Sequence, residues 1–151
     1  MPKLALPGLL DGLRRGGVVQ GVAAALKAGG VSARDEVIVD GDLGLARALA
    51  ADGWRIATVA SGKAVKRAPS PIDALPTTRA VAAVVRCGAG ASDPGPACAA
   101  VRDGGVVVLV GRGAPAPASR AALVAGLAEI EQRSVGAIRI TSGLVTSWDS
   151  P

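Results

Sequence analysis

The sequence predicts an α/β domain: a single open, mostly parallel, twisted sheet flanked by helices and ending in a C-terminal antiparallel hairpin. Three observations predict it. The apolar runs Val37–Val39, Val81–Val85 and Val106–Val110 are continuous rather than alternating, as strands covered on both faces require. Ala/Leu-rich stretches with helical spacing lie between them. The tail Glu131–Trp148 alternates instead, in the manner of a half-exposed antiparallel pair.

A chain of 151 residues suits one domain that buries roughly 70% of its unfolded surface. Half of it is hydrophobic, yet it holds no Phe, no Tyr and two Trp, so its core is built from Val, Ile, Leu and Ala. Residues 1–30 read as an N-terminal helical segment and 31–151 as the sheet domain, one compact unit overall.

In chain order, residues 4–15 and 18–28 space Leu, Val and Ala as helices do, with glycine breaks at Gly16-Gly17 and Gly29-Gly30. Ser32–Asp35 leads into a strand, Glu36–Asp40. A glycine turn and a helix over 43–52 follow, the helix ending at Asp52-Gly53. Trp54–Ala60 reads as the second strand. Residues 61–79 carry Pro69, Pro71 and Pro76, which leaves room for a short extra strand near Val65–Arg67 but not for a helix plus a strand. Ala80–Arg86 is a buried strand, Gly88–Pro96 a loop and 97–102 a short helix.

Gly104-Gly105 then introduces the strand Val106–Gly111. After a Pro-rich loop, Ser119 is placed to cap a helix over about 120–129. The stretches 130–135 and 137–148 form the closing strand pair, turning at Gly136 and again near Gly143.

The composition excludes several chemistries. Without a single His there is no Ser-His-Asp triad, no Cys-His pair and no His-ligated metal. Cys87 and Cys98 read as reduced thiols rather than a disulfide framework, and two cysteines alone do not suggest a zinc site. The net charge of +5 is dispersed, with no cluster beyond Arg14-Arg15 and Lys66-Arg67 and no aromatic platform for bases, so nucleic-acid binding is not expected. No apolar run reaches the ~20 residues needed to span a bilayer, and a cytoplasmic protein without membrane association is expected.

The chemistry-bearing stretch is Glu36–Ala50. An apolar strand ends in Asp40-Gly41-Asp42, and an Ala/Leu-rich helix begins after it. Small residues in such a turn let a ligand approach free N–H groups and the positive end of the helix dipole. Gly41 and Gly44 serve either ligand approach or the turn itself; Asp40 and Asp42 are candidates to accept from a ligand, and Asp42 is equally placed to cap the helix. Cys87 ends a strand at the edge where open α/β sheets place their sites, as a contact or as an inert packed thiol. Ser61, Lys63 and Lys66 suit a hydroxyl- or phosphate-bearing ligand or a solvated loop. Trp54 and Trp148 read as packing anchors.

Over roughly residues 30–147 these features resemble the class I S-adenosylmethionine (SAM)-dependent methyltransferases. The opening strand, turn and helix resemble that family's SAM loop. Asp73-Ala74-Leu75-Pro76 before the strand Val81–Val85 resembles the segment whose Asp contacts the SAM adenine. Asp93-Pro94, then Ala97–Arg102 and Asp103-Gly104-Gly105 before Val106–Val110, resembles the family's later helix, Gly-Gly turn and fifth strand.

The resemblance implies SAM as cofactor, with Asp40, Gly41, Asp42, Gly44, Ser61, Asp73, Ala74 and Cys87 around it. It implies either a small methyltransferase-like protein or a non-catalytic binding and assembly module of the same fold. Departures from the pattern are specific. Leu43 stands where a small residue is usual, no carboxylate follows Ala60, and the fourth strand opens with Arg79-Ala80 rather than an aromatic-acid pair. A homodimer through the apolar residues of the terminal hairpin, Ile138, Ile140, Leu144 and Val145, is a further expectation.

Overall fold

A computed structural model describes residues 16–112 and 115–146. The expected helix over 4–15 and Trp148 lie outside the described residues. Seven strands form one sheet: β1 (Glu36–Asp40), β2 (Arg55–Val59), β3 (Pro71–Ile72), β4 (Val81–Cys87), β5 (Val101–Arg112), β6 (Ala128–Val135) and β7 (Ile138–Leu144). Their spatial order is β3-β2-β1-β4-β5-β7-β6. The first five run parallel, and β7 is antiparallel to both β5 and β6. The expected architecture is therefore present.

Helices cover both faces. On one lie α1 (residues 16–28) and α2 (Leu43–Ala51), whose Val22, Leu26, Leu45 and Leu49 join Val37, Val39, Val85 and Val108 in one buried cluster. On the other lie α3 (Gly95–Ala100) and α4 (Pro115–Val124), where Ala97, Ala100 and Ala122 meet Ile38, Val84 and Leu109. Alternate residues of the central strands thus serve different layers, which is why those strands read as continuous apolar runs.

Five sequence expectations are corrected. Gly17 does not break a helix, because Gly17 and Gly21 both lie inside α1. A Cβ on either would fall within 2.8 Å of a Val135 or Ile140 methyl group, so these glycines mark where α1 presses on β6 and β7. Residues 65–67 are part of a 3-10 turn, Gly62–Arg67, and the extra strand is Pro71–Ile72. The helix expected over 97–102 is α3, ending at Ala100, and β5 begins at once with Val101, bulging at Gly104-Gly105 against β4. There the Cβ of any larger residue at 105 would lie 2.5 Å from the Ala82 carbonyl oxygen. The last helix spans Pro115–Val124 rather than 120–129, since proline is tolerated in a first helical turn and Gly126 stops the helix.

The chain turns at Gly136, but not near Gly143, which sits inside β7 opposite Val107 and makes room for Leu127. The hairpin's apolar strand β7 is interior to the sheet, and Ile140 is fully buried against the α1–α2 layer. The outer strand is β6, whose Glu129, Glu131 and Gln132 are exposed. Charged and polar side chains on an edge strand oppose pairing with another edge.

Candidate functional site

All five parallel strands deliver their C-terminal ends to one edge of the sheet. The eight residues singled out in the sequence lie along it in spatial order: Asp73 and Ala74 after β3, Ser61 after β2, Asp40–Gly44 after β1, and Cys87 at the end of β4. Strand order reverses between β1 and β4, the point at which open α/β sheets open a crevice.

Asp40 ends β1 in register with Arg86 on β4. The Arg86 Nε lies 3.3 Å from the Asp40 Oδ2, and another nitrogen of the same guanidinium donates to the Asp93 carbonyl oxygen at 2.6 Å. Both side chains are largely shielded, at 17% and 24% exposure, so the ion pair knits β1, β4 and the loop before α3 together. Asp42 has non-helical backbone angles, and its Oδ1 accepts from the Leu45 N–H at 3.0 Å. It is the N-cap of α2. Each acid of the turn therefore commits one oxygen within the protein. Gly44 occupies the second position of α2.

Gly41 has φ +97°, and a Cβ there would lie 2.5 Å from the carbonyl oxygen of Cys87. Glycine here meets two demands at once, a left-handed turn and close approach to β4. Cys87 itself is buried, and burial pushes its thiol up to about 12, helped by the nearby carboxylates of Asp42 and Asp40. Cys98, half-buried in α3, is also raised by burial. A thiol held neutral in this way is not an activated nucleophile.

Toward β3, the Ala60 N–H donates to the Ile72 carbonyl oxygen at 3.0 Å. That bond brings Asp73 and Ala74 beside Ser61, all three exposed at the rim. Ser61 makes no side-chain capping bond to the 3-10 turn that follows it. No carboxylate follows β2 in sequence; the β3 pairing places Asp73 one residue beyond the partner of Val59, the last residue of β2, and on the other side Asp40 is in register with the same Val59.

Two clefts open at the edge. One, about 450 Å³, is lined by Gly41, Asp42, Cys87, Gly88 and the end of β5. The other, about 370 Å³, runs from Gly88 and Ala91 past Leu109 and Gly111 to Arg112, Pro117 and Arg139. They share Gly88, Gly111 and Arg112 and so adjoin. Of the residues singled out in the sequence, Gly41, Asp42 and Cys87 face the first cleft.

Sequence reading missed Arg86, Arg112 and Arg139. Their common signal is a lone cation at the end of an apolar strand, or across from one. Among the described residues no cluster of Cys, Asp and Glu is arranged to hold a metal ion. No helix among them is long and apolar enough to cross a membrane.

No protein-family model matches the sequence, and no curated protein is significantly similar to it. Solved structures do match. An O-methyltransferase family protein from Burkholderia thailandensis superposes with a TM-score of 0.60 at 11% identity, covering 89% of this chain and 59% of that one. A 16S rRNA methyltransferase from T. thermophilus, solved with AdoMet and guanosine, gives 0.57 at 20% identity over 80% of this chain and 38% of the other. A TehB-like SAM-dependent methyltransferase from Corynebacterium glutamicum gives 0.55 at 14% identity over 82% and 86%. The chain thus spans less than two thirds of the first two proteins and most of the third. Identities this low speak for architecture alone: the chain has the class I SAM-dependent methyltransferase-like fold.

Proposed function

We propose that the protein binds SAM along the carboxyl edge of β3, β2, β1 and β4, as a small methyltransferase-like protein. The observation that carries this reading is the cleft of about 450 Å³ at the strand-order reversal, walled by the Gly41-Asp42 turn and by Cys87-Gly88. Its size is that of a small-molecule site. The Gly41-Asp42 turn lines that cleft, while Asp73 and Ser61 stand outside its lining, further along the same edge, and in this reading supply the polar groups of the adenosine side. Asp73 takes the place of the carboxylate missing after β2.

Bound SAM supplies an electrophilic methyl group, so this chain's part is to position the cofactor and exclude water rather than to activate a nucleophile. The absence of His and the neutral Cys87 are compatible with that division of labour.

A second reading is a catalytically silent member of the fold acting as a binding or assembly module. It is favoured by the commitment of Asp40 to Arg86 and of Asp42 to the α2 cap, and by the reduction of the β2–β3 connection to a 3-10 turn. Thermal melting with SAM, and separately with S-adenosylhomocysteine, tests the cofactor site. A ligand at a hundred times its dissociation constant adds about 2.7 kcal/mol to the native state. For a chain of this size the midpoint rises by roughly 5–11 °C. No shift at millimolar ligand removes the cofactor reading. A shift without methyl transfer to any acceptor leaves the silent module.

A further inference from the structure

The connection that leaves β2 is strongly basic. From Gly53 to Ile72 the chain holds no Asp or Glu, and it places Lys63, Lys66 and Arg67 within the 3-10 turn Gly62–Arg67. All three side chains are exposed. A 3-10 helix has three residues per turn and rises about 2 Å per residue, so side chains three apart eclipse one another. Lys63 and Lys66 therefore stack on one face of the turn, their Cα atoms about 6 Å apart.

Like charges stacked in this way repel, and among the described residues no carboxylate relieves them. The ion pairs lie elsewhere, at Arg79–Asp103, Arg86–Asp40, Arg102–Asp35 and Arg133–Glu131. An anion held between the two ammonium groups offsets the repulsion and gains charge-assisted hydrogen bonds.

The place of the turn selects the anion. It starts directly after Ser61 at the carboxyl end of β2, with Asp73 next to it after β3. A carboxylate at the end of such a strand accepts from ribose hydroxyls, whereas a cation there accommodates a phosphate on the same sugar. An ammonium group offers donors only and cannot do the acid's work. The basic stretch is one turn long. Asp73 flanks it on one side and Asp40 and Asp42 on the other, so no basic track continues along the edge for the backbone of a polymer.

We infer that Lys63 and Lys66 bind a phosphate on the 2′ or 3′ oxygen of an adenine nucleotide's ribose, with the Ser61 hydroxyl as a further donor. Asp73 is left to accept from the sugar's free hydroxyl. The inference rests on the placement of adenosine along β2 and β3 in the reading above, and it makes this edge favour a phosphorylated adenosine over a bare one.

Calorimetric titration of the full chain with adenosine, 2′-AMP, 3′-AMP and 5′-AMP tests it. One of 2′-AMP and 3′-AMP binds about tenfold or more tightly than adenosine and so identifies the oxygen. 5′-AMP carries the same charge at the other end of the sugar and does not gain this factor. Lys63→Gln and Lys66→Gln each weaken the favoured nucleotide by about fivefold and leave adenosine unchanged. Both side chains are exposed, so neither variant threatens the fold.

Equal binding of adenosine, an equal gain for 5′-AMP, no binding of either isomer, or unaltered binding in both variants overturns the inference. So does an oligoadenylate that binds more tightly than the mononucleotide, which would make the turn a contact for a nucleic-acid backbone. A melt raised by SAM with no preference for a phosphorylated sugar removes this inference alone. A phosphate preference without a SAM shift supports the turn and removes the cofactor reading instead.

Discussion

The carbonyl oxygen of Cys87 occupies the space that a side chain on Gly41 would need, 2.5 Å from the ideal Cβ position. Two strands that meet at the reversal of strand order are thereby drawn together by a missing methyl group. Gly41→Ala must move backbone rather than a flexible side chain, and its φ of +97° adds strain. We expect a loss of roughly 2–4 kcal/mol, a melting point lower by roughly 6–12 °C, and no response to SAM. An unchanged melt would show that β1 and β4 separate easily, and that the close approach at Gly41 does not hold them together.

Thr58, on β2, is 2% exposed, and its hydroxyl has no hydrogen-bond partner among the described residues. A buried hydroxyl left unpaired costs stability that valine avoids in the same shape. Thr58→Val is expected to stabilise the fold by about 1 kcal/mol and to raise the melting point by roughly 3 °C. Because Ser61 and Asp73 lie just beyond this strand end, the SAM-induced shift should be measured in the same variant. Its disappearance would assign the hydroxyl to the ligand rather than to a packing defect.

Sequence reading recovered what depends on local periodicity. The order of strands and helices, the Asp42 cap and the Gly136 turn were all visible as patterns of a few residues. Distant partners were not. The Asp40–Arg86 pair joins residues 46 positions apart through strand register, and nothing around either one indicates the other. Glycines misled in both directions: Gly143 looked like a turn and proved to be a close approach, while Gly17 looked like a break and proved to be a helix contact. A glycine's reason is often the neighbour that would collide with its Cβ, and that neighbour is set by tertiary packing. The residues singled out in the sequence lie along one edge because a parallel sheet gathers its loops there; their partners were not legible.

The Cys87 thiol has a pH signature. Its folded value, about 12, lies above the value near 8.5 of an unfolded cysteine. The unfolded chain therefore loses this proton first as pH rises. Stability from the neutral thiol is complete below about pH 8.5 and declines from there toward pH 12, at up to about 1.4 kcal/mol per pH unit. Cys98 is raised in the same direction and adds to the trend. Urea midpoints at pH 7.5 and pH 10 should fall further apart in the wild type than in Cys87→Ala. The same burial predicts that Cys87 resists iodoacetamide in the native protein at pH 8 and reacts in urea. Rapid native alkylation at Cys87 would contradict both expectations.

Along α1 and the turn after it, Gly17, Gly21, Ala25 and Gly29 recur every fourth residue on the side facing the sheet. The tightest contact is at Gly29, where an added Cβ would lie 2.1 Å from the Cγ2 of Val106. Val106 is fully buried on β5 and stiff at χ1, so it cannot swing aside. Gly29→Ala is therefore expected to cost about 1–3 kcal/mol and to lower the melting point by roughly 3–9 °C. The cause can be isolated with a second substitution. Val106→Ala alone leaves a void and destabilises, but combined with Gly29→Ala it removes the colliding methyl group. The pair should be more stable than the sum of the single losses by about 0.5–3 kcal/mol. Strict additivity would place the cost in the backbone conformation of Gly29, and the spacing of small residues would then owe nothing to the approach of α1 to the sheet.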